Sequence, residues 1–516
     1  MLTVQHLSIT HNKDLRPLIR DLSFTLADSQ RLAVIGEEGN GKSALLKAIV
    51  CPEQLQSWAE VQGTISTAGE RIGYLEQEAP AEWTDRPAYS ICIENEAFSN
   101  TDPGELSEYC RMLSMQADLC WADTPFGLLS GGEKVRLRML LLLCGKPTML
   151  LLDEPGNDLD LDAIQALEHF LLTCRLPVLY VSHDEQLLTA TATQVLHLES
   201  LHGRAEPKWT WTKETYALYV ENRRNQLDRQ ESLWKADQRE KQIQAEKLQR
   251  IENAVEHAQA SISRRDPHGG RLLKKKMKAV KSLEHRYERE AENALERPYE
   301  EYSMYAIFKD CDPVPQGKWV LNLHLDELKA DQEVLASPVD LQIRGSEKIL
   351  LTGRNGSGKT TLMRIIEQQL KEDMSLRVAL MPQHYEDILD MNLSPVAFLN
   401  TDGSKEQMTQ IRSSLIAMKF SRDELEHPIG SLSGGQKAKV LLLSLMMKHP
   451  NVLLMDEPTR NLSPLSAPVM RDVIRNFPGA VICVTHDRIL MNEWPGRILK
   501  LMKDGLKVND GESDPA

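Results

Sequence analysis

Two stretches of the chain carry glycines, a lysine and a hydroxyl residue in the spacing G-x-x-x-x-G-K-[ST]. They are GEEGNGKS over Gly36–Ser43 and GRNGSGKT over Gly353–Thr360. Glycines at these positions let backbone N–H groups approach phosphate oxygens, and the N-terminus of a following helix favours anions. The lysine of each copy would reach the β- and γ-phosphates of a nucleotide, and the Ser or Thr would place a hydroxyl on Mg²⁺.

A single copy of this pattern could be a glycine-rich turn with no ligand. Here each copy follows a short apolar strand, RLAVIG or KILLTG, which favours two phosphate-binding loops. The predicted nucleotide-binding residues of the loops are Gly36, Gly39, Asn40, Gly41, Lys42 and Ser43 in the first, and Gly353, Asn355, Gly356, Gly358, Lys359, Thr360 and Thr361 in the second.

An aspartate–glutamate pair ends a further apolar strand in each half of the sequence. The pairs are Asp153–Glu154 and Asp456–Glu457. The aspartate would hold Mg²⁺, directly or through water, and the glutamate would orient or deprotonate the attacking water. A carboxylate pair at a strand end often only caps a helix, but the upstream phosphate loop favours the catalytic interpretation.

A histidine and a glutamine complete each predicted ATP site. His183 and His486 end another apolar strand and could hydrogen-bond the γ-phosphate, while Gln77 and Gln383 could sense Mg²⁺ or the water. An isolated histidine is more often structural and an isolated glutamine is normally a surface residue, so these assignments depend on the neighbouring motifs. The predicted metal ligands are Ser43, Gln77, Asp153, Thr360, Gln383 and Asp456.

All these motifs recur in one order, and three of them recur at a shared offset, which indicates a duplicated domain. LLSGGEK recurs as SLSGGQK, and Ser130, Glu154 and His183 each have their counterpart 303 residues later. In each half, apolar strands carry polar residues at their C-terminal ends, the edge where parallel sheets bind ligands. The sequence therefore predicts an α/β fold with two tandem P-loop nucleotide-binding domains.

The segment 212–297 between the halves is dense in charge and nearly free of Gly and Pro. Apolar residues recur there at spacings of three and four, which is typical of packed helices. These are Leu248, Ile251, Val255, Ala258 and Ile262 before the break SRRDPHGG, and Leu273, Met277, Val280, Leu283 and Tyr287 after it. We predict a long antiparallel helical hairpin with its tip near 264–272, joining domains 1–211 and 298–516; the alternative is a solvated linker.

Basic residues crowd the predicted hairpin tip although the chain has a net charge of -14. A charge run is usually a solvated face, but Lys and Arg at a hairpin tip could supply sequence-independent contacts to RNA phosphates. The candidate RNA-binding residues are Arg264, Arg265, Arg271, Lys274, Lys275, Lys276, Lys278 and Lys281. The chain has no apolar stretch long enough to span a bilayer and no signal core at its N-terminus, so we expect it to be cytoplasmic.

The LSGGE and LSGGQ stretches, taken with the phosphate loops, DEP and SHD or THD, resemble the ATP-binding cassette superfamily. The resemblance covers both halves and implies an ATP hydrolase that binds ATP and Mg²⁺. It also implies a head-to-tail sandwich, in which the LSGG loop of one half closes over ATP bound to the other. The residues that the resemblance assigns to this role are Ser130, Gly131, Gly132, Ser433, Gly434 and Gly435.

Two cassettes in one chain, no membrane segment and a charged interdomain hairpin resemble the ABC-F subfamily. The resemblance implies a monomer with an intramolecular cassette pair, no membrane subunit, and the ribosome as partner through rRNA and peptidyl tRNA. Members bind near the exit tRNA site; some are housekeeping translation factors, and others protect the peptidyl-transferase centre from antibiotics. The compact chain favours the protective type, while a transporter ATPase subunit and a DNA-repair ATPase are the alternatives from other classes.

The sequence departs from the subfamily pattern just after each catalytic glutamate. The first half reads DEPGNDLD, with Gly156 and Asp158 where Thr and His are usual. The second half reads DEPTRNLS, with Ser463 at the position of Asp160. Because this loop lies between cassettes in the family, we predict two unequal ATP sites. His11 lies where an adenine-stacking aromatic residue is expected.

Overall fold

The computed structural model describes most of the chain in two compact units. Residues Met1–Tyr216 and Glu301–Ala516 form one unit, and Ala217–Glu300 form the other. The described residues are 1–13, 15–37, 39–67, 69–157, 159–201, 206–261, 278, 282, 311–330, 333–418, 420–432, 434–460 and 462–508. Among them, no helix has both the length and the apolar character needed to cross a membrane.

The first half is built around a six-stranded sheet in the order β5-β6-β7-β3-β8-β9, parallel except for the edge strand β9. An antiparallel sheet, β2-β1-β4, packs beside it. The strands are β1 (Leu2–His11), β2 (Pro17–Leu26), β3 (Arg31–Ile35), β4 (Ala59–Ser66), β5 (Ile72–Leu75), β6 (Met149–Asp153), β7 (Val178–Val181), β8 (Gln194–Leu201) and β9 (Glu206–Thr212).

Eight helices of the first half follow or cover these strands within the described residues. They are α1 (Lys42–Val50), α2 (Pro52–Leu55), α3 (Ala88–Glu94), α4 (Glu96–Ser99), α5 (Pro103–Met112), α6 (Gly131–Cys144), α7 (Leu161–Thr173) and α8 (Glu185–Thr191). The central strands β6 and β7 are buried along their whole length, which explains their continuous apolar sequences MLLLD and VLYV.

The second half repeats the same sheet, in the order β15-β16-β17-β14-β18-β19, with the antiparallel pairs β10-β13 and β11-β12 beside it. Its strands are β10 (Trp319–Leu325), β11 (Leu328–Ala330), β12 (Glu333–Ala336), β13 (Val339–Arg344), β14 (Lys348–Thr352), β15 (Val378–Met381), β16 (Val452–Asp456), β17 (Ala480–Val484), β18 (Arg497–Met502) and β19 (Gly505–Val508). The described helices are α10 (Lys359–Leu370), α11 (Pro395–Leu399), α12 (Lys405–Ala417), α13 (Arg422–Glu426), α14 (Gly434–Met446), α15 (Ala467–Asn476) and α16 (Arg488–Asn492).

This duplicated α/β architecture confirms the predicted fold of two tandem P-loop domains. Parallel pairing aligns the C-terminal ends of the strands, with Asp153 opposite Val181 and Asp456 opposite Val484. In each half the phosphate loop, the acidic pair and the histidine therefore meet at one edge of the sheet.

A single long helix, α9 (Tyr216–Ser261), spans 46 residues after the first half. It begins four residues later than the boundary at residue 212, because β9 continues to Thr212 and pairs with β8. Pairs spaced by four residues, such as Glu231 with Lys235, support the helix at its exposed surface. Four of the five residues of the first predicted seam lie within α9, and the second seam and the tip lie outside the described residues.

Candidate ATP sites

The two phosphate loops share one backbone turn that glycine makes possible. The φ angle is 149° at both Gly36 and Gly353, 88° at Gly41 and 96° at Gly358. A Cβ atom at Gly36 would lie 2.3 Å from the carbonyl oxygen of Leu198, so only glycine fits there. Helices α1 and α10 begin directly after these turns, which directs their N-termini at the loop.

Each loop lysine is held over the centre of its loop. Lys42 Nζ donates to the carbonyls of Gly36 at 2.8 Å and Glu37 at 3.1 Å. Lys359 Nζ donates to the carbonyls of Gly353 at 2.8 Å and Arg354 at 2.9 Å. Both ammonium groups are therefore positioned where the phosphates of a nucleotide would lie.

Further side chains attach the first loop to its surroundings. Asn40 is buried, and its Nδ2 donates to the carbonyl of Leu198 on β8 at 3.1 Å. Arg16 Nη2 donates to the carbonyl of Gly39 at 2.9 Å. Arg16 was not identified from the sequence, because nothing in its neighbourhood distinguishes it from a surface arginine. The ring of His11 packs against Trp58, with 5.8 Å between ring centroids.

A hydroxyl and a carboxylate meet in each half at the predicted metal position. Ser43 Oγ donates to Asp153 Oδ1 at 3.2 Å, and Thr360 Oγ1 donates to Asp456 Oδ2 at 2.9 Å. Burial raises the pKa of Asp153 to about 6 and also raises the pKa of Asp456. Oxygen ligands of this kind suit Mg²⁺, and a cation would offset the cost of burying each carboxylate.

In the first half, three side chains surround the carboxylate of Glu154. Gln77 Nε2 donates to Oε2 at 3.0 Å, Asn157 Nδ2 donates to the same oxygen, and His183 Nε2 lies 3.3 Å from Oε1. Burial alone would raise the pKa of Glu154, but His183, Lys42 and Asn157 together lower it to about 2. Glu154 is therefore an ionised, oriented carboxylate, and Asn157 is a functional residue that the motifs did not reveal.

In the second half, the equivalent carboxylate has fewer partners. The backbone N–H of His486 donates to Glu457 Oε2 at 3.3 Å, and His486 Nε2 lies 3.6 Å from Oε1. Between these described residues, Gln383 forms no hydrogen bond with Glu457, and Arg460 stands where the first half has Asn157. Burial raises the pKa of Glu457 to about 7, and burial with nearby cations lowers the pKa of His486 to about 4.

Both glutamates hold the same uncommon backbone conformation. Their φ angles are 51° at Glu154 and 52° at Glu457, in the left-handed region that non-glycine residues rarely adopt. A backbone hydrogen bond closes each turn, from Asn157 N to Glu154 O and from Arg460 N to Glu457 O, both at 3.2 Å. Such strain costs about 1–3 kcal/mol and is concentrated at functional sites.

An arginine on α6 fixes the loop that carries Gln77. Arg138 Nη2 donates to the carbonyl of Glu76 at 2.5 Å and to that of Glu78 at 3.0 Å, one on each side of the glutamine. The second half has Leu441 at the corresponding position, 303 residues later. The sequence does not single out Arg138, because Lys134 and Arg136 lie on the same helix.

The LSGG residues are described only in part. Ser130 caps α6 in a reciprocal pair of hydrogen bonds with Glu133, and a Cβ at Gly132 would lie 2.7 Å from the Cβ of Ala163. Gly131 opens α6, and Gly434 opens α14 with Gly435 next in line. Ser433 lies outside the described residues. Within its own half, Gly132 thus also allows α6 to pack closely on α7.

Both halves line a shared cavity of about 530 Å³. The first contributes Glu154, Asn157 and His183, and the second contributes its phosphate loop with Asn355, Gly356, Gly358, Lys359, Thr360 and Thr361, together with Gln383, Asp456, Glu457 and His486. Across the contact, His183 Nδ1 donates to the carbonyl of Leu462 at 2.9 Å. Ser130 and Gly132 are not among the lining residues, so the predicted closure of LSGG over the opposite site stays a prediction.

Of the candidate RNA-binding residues, only Lys278 belongs to the described part of the chain, and it is exposed. The other seven lie outside it: Arg264, Arg265, Arg271, Lys274, Lys275, Lys276 and Lys281.

Comparison with protein families gives one match that covers both halves. The model of the family described as ABC transporter matches residues 19–157 and 336–460. The two segments together span just over half of the chain, and they contain both phosphate loops and both acidic pairs.

Curated relatives extend the similarity over the segment between the halves. ABC transporter F family member 4 of Arabidopsis thaliana is 27% identical, over 92% of this chain and 70% of its own length. ABC transporter F family member 2 of the same plant is 27% identical, over 76% of this chain and 55% of its own length. The chain thus spans about half the length of the second relative.

A solved structure shows the same fold. The archaeal ribosome recycling factor aABCE1, in its complex with the ribosomal stalk protein aP1, matches with a TM-score of 0.58 and 16% sequence identity. The match covers 97% of this chain and 89% of that one. At this identity the likeness concerns the arrangement of two tandem nucleotide-binding domains.

Proposed function

The chain belongs to the ATP-binding cassette family, in its F subfamily, and from this premise we propose that it is a ribosome-binding ATPase. The two halves are its cassettes, and they hydrolyse ATP to ADP and phosphate. The observation that carries the proposal is a helix of 46 residues in the chain segment that joins the two cassettes. A transporter subunit has no evident use for this helix.

The chemistry follows from the residues at each sheet edge. Lys42 and Lys359 would bind the β- and γ-phosphates, and the N-termini of α1 and α10 would stabilise their charge. Mg²⁺ held near Ser43 with Asp153, and near Thr360 with Asp456, would neutralise charge on the phosphate oxygens.

The water that attacks the γ-phosphate needs a hydrogen-bond acceptor that is fixed in place. Glu154 fills this role in the first site, since Gln77 and Asn157 orient its carboxylate. His183 would hydrogen-bond the γ-phosphate from the neighbouring strand end. Glu457 and His486 would play the same parts in the second site.

For the ribosome, the proposal depends on the long helix and the basic run beyond it. A helix of 46 residues extends about 69 Å at about 1.5 Å per residue. The basic residues between Arg264 and Lys281 would contact RNA phosphates. The structural relative aABCE1 is a ribosome recycling factor by its own description.

In full, we propose a cytoplasmic monomer that binds near the exit tRNA site in its ATP-bound closed form and leaves after hydrolysis. Through the interdomain hairpin it would contact rRNA and peptidyl tRNA and protect the peptidyl-transferase centre from antibiotics. No membrane subunit takes part. A housekeeping role in translation is the second candidate, because it needs the same ATP sites and the same hairpin.

Cosedimentation of the full chain with ribosomes tests the proposal. The Glu154→Gln/Glu457→Gln variant should bind ATP without turnover and should pellet with ribosomes in an ATP-dependent way. Absence of ribosome binding with ATP would show that the partner is wrong. Drug susceptibility with and without the gene, across ribosome-targeting antibiotics, then distinguishes protection from the housekeeping role.

The hairpin is tested by charge reversal. Replacing Lys274, Lys275 and Lys276 with Glu should weaken ribosome binding while preserving basal ATPase, because these residues supply no ATP ligand. A matched reversal of Lys235, Lys241 and Lys247 on α9 changes the net charge equally but away from the tip. Equal loss of binding in the two variants would indicate a general charge effect and not a contact at the tip.

A further inference from the structure

Several ion pairs cross between the cassettes within the unit that they form, and two of them join an arginine to a glutamate. Arg471 Nη2 of α15 lies 2.7 Å from Glu185 Oε1 of α8. Arg488 Nη1 of α16 lies 2.8 Å from Glu168 Oε2 of α7. Both arginines belong to the second cassette and both glutamates belong to the first.

The offset of 303 residues between the cassettes makes these four residues two equivalent positions. Arg471 corresponds to Glu168, and Arg488 corresponds to Glu185. The two contacts are therefore copies of each other under the internal symmetry, with the charges exchanged between the partners. In a symmetric pair of identical domains, residue i of one copy contacts residue j of the other and j contacts i, so the two contacts would carry identical charges.

Each of the two contacts also includes an aspartate, which occurs at the same position in both cassettes. Arg471 Nε lies 2.6 Å from Asp487 Oδ2, and Arg488 Nη2 lies 3.3 Å from Asp184 Oδ1. Asp184 and Asp487 are equivalent by the same offset. Each group thus contains one arginine and two carboxylates, and Arg471 is only 5% exposed.

We propose that this exchanged pair of charges acts as a pairing code. It favours association of the first cassette with the second and disfavours association of the first cassette with another first cassette. Pairing two first cassettes would gather three carboxylates at each contact. Pairing two second cassettes would set two arginines around one aspartate, which is a milder mismatch. The code therefore acts mainly against association between first cassettes of different chains.

Buried charges at a contact of this kind contribute more to the choice of pairing partner than to the stability of the pair. A buried ion pair gains little net stability over an apolar contact, but an unpaired or like charge there is strongly unfavourable. Burial lowers the pKa of Arg471, yet Asp487 and Glu185 outweigh burial and raise it, so the guanidinium stays charged. Covalent linkage already favours pairing within one chain, and the code removes the competing combinations.

Charge exchange in the full chain tests the proposal. Arg471→Glu/Arg488→Glu makes both contacts wholly acidic, and the cassettes should separate, which raises the radius of gyration measured by small-angle X-ray scattering. Glu168→Arg/Glu185→Arg should give a smaller increase, since each contact keeps its aspartate. The variant with all four changes restores one arginine and two carboxylates to each contact, and it should return to the radius of the parent chain.

The two double variants should also recognise each other. Each alone should sediment as a monomer, whereas an equimolar mixture of the acidic and basic chains should form a 1:1 dimer that dissociates with added salt. A control, Arg475→Glu/Arg497→Glu, changes the charge equally at ion pairs within the second cassette, with Glu493 and Glu347, and should leave the radius unchanged.

Three results would overturn the proposal. The first is a radius of gyration equal to that of the parent chain in Arg471→Glu/Arg488→Glu. The second is a variant with all four changes whose radius is no smaller than that of either double variant. The third is an equimolar mixture of the two double variants that stays monomeric. Circular dichroism identifies any variant that fails to fold. If the acidic double variant fails to fold, the comparison of Glu168→Arg/Glu185→Arg with the variant that carries all four changes still tests the pairing code. Ribosome binding is not used in any of these measurements, so their outcome is independent of the proposed function.

Discussion

The two catalytic glutamates occupy the same place in the fold but different chemical surroundings. Glu154 and Glu457 both follow a central strand and share a φ angle near 50°. Yet the pKa is about 2 at Glu154 and about 7 at Glu457. The shared motif fixes where a carboxylate stands, whereas its local contacts set how strongly it holds a proton: burial raises the pKa of Glu457, and at Glu154 the contacts with His183, Lys42 and Asn157 outweigh burial.

Other side chains around the two carboxylates also differ. Asn157 donates to the first carboxylate, and Arg460 replaces it in the second site. Arg138 secures the loop of Gln77, and the second cassette has Leu441 there. Each site also contacts the other cassette: His183 of the first donates to the carbonyl of Leu462, and Arg354 Nη2 in the phosphate loop of the second lies 4.0 Å from Asp162 Oδ2. These features support the predicted inequality of the two sites.

Removal of both carboxylates should give the largest effect. Glu154→Gln/Glu457→Gln keeps the shape of each site but replaces the carboxylate that orients or deprotonates the water by a neutral amide, so steady-state ATPase should fall about 100-fold or more. Binding of a fluorescent ATP analogue should be retained. Unchanged turnover in this variant would refute the catalytic assignment of both glutamates.

The single variants should separate the two sites by pH. In Glu154→Gln only Glu457 remains, and with its pKa near 7 its ionised fraction, and hence the rate, should rise about tenfold from pH 6 to pH 8. In Glu457→Gln only Glu154 remains, and its pKa of about 2 keeps it ionised throughout, so the profile should be flat. Two parallel pH–rate profiles would show that the sites do not differ in proton affinity.

The sequence was sufficient for the fold and for the motif residues because their spacing has a direct geometric cause. A glycine-rich turn before a helix, and acidic residues at strand ends, occur where parallel strands end. Arg16, Arg138 and Asn157 were missed because their contacts join segments far apart in the chain or add to a motif without being part of it. The contacts between cassettes were also beyond reach, since Glu168 and Arg471 lie on helix faces with no motif.

Arg138→Leu should convert the first site toward the second. It removes the two hydrogen bonds that hold the loop of Gln77. It also introduces leucine, the residue that the second cassette has at the corresponding position, Leu441. Measured in the Glu457→Gln background, the turnover of the first site should fall about tenfold, which corresponds to about 1.4 kcal/mol. Arg138→Lys keeps the charge and should recover part of the loss, and full activity in Arg138→Leu would show that Gln77 does not need this support.

The smallest effect is expected where the two interface loops differ. Asp160 accepts from the backbone N–H of Ala163 at 3.1 Å, and Ser463 Oγ accepts from the equivalent N–H of Ser466 at 3.2 Å, but α15 starts only at Ala467. By the offset of 303 residues this start is one helical turn later than that of α7. The two loops therefore share this hydrogen bond and differ in the charge of its acceptor.

Asp160→Ala should destabilise the first cassette by about 1 kcal/mol, because one N-terminal amide of α7 loses its acceptor. Serine is a comparable cap but lacks the negative charge that favours a helix N-terminus, so Asp160→Ser should cost only about 0.3–1 kcal/mol. In thermal unfolding the alanine variant should thus show a drop of about 2–4 °C, with a smaller drop for serine. If serine proved as damaging as alanine, the charge of Asp160 and not its hydrogen bond would be the property that distinguishes the two loops.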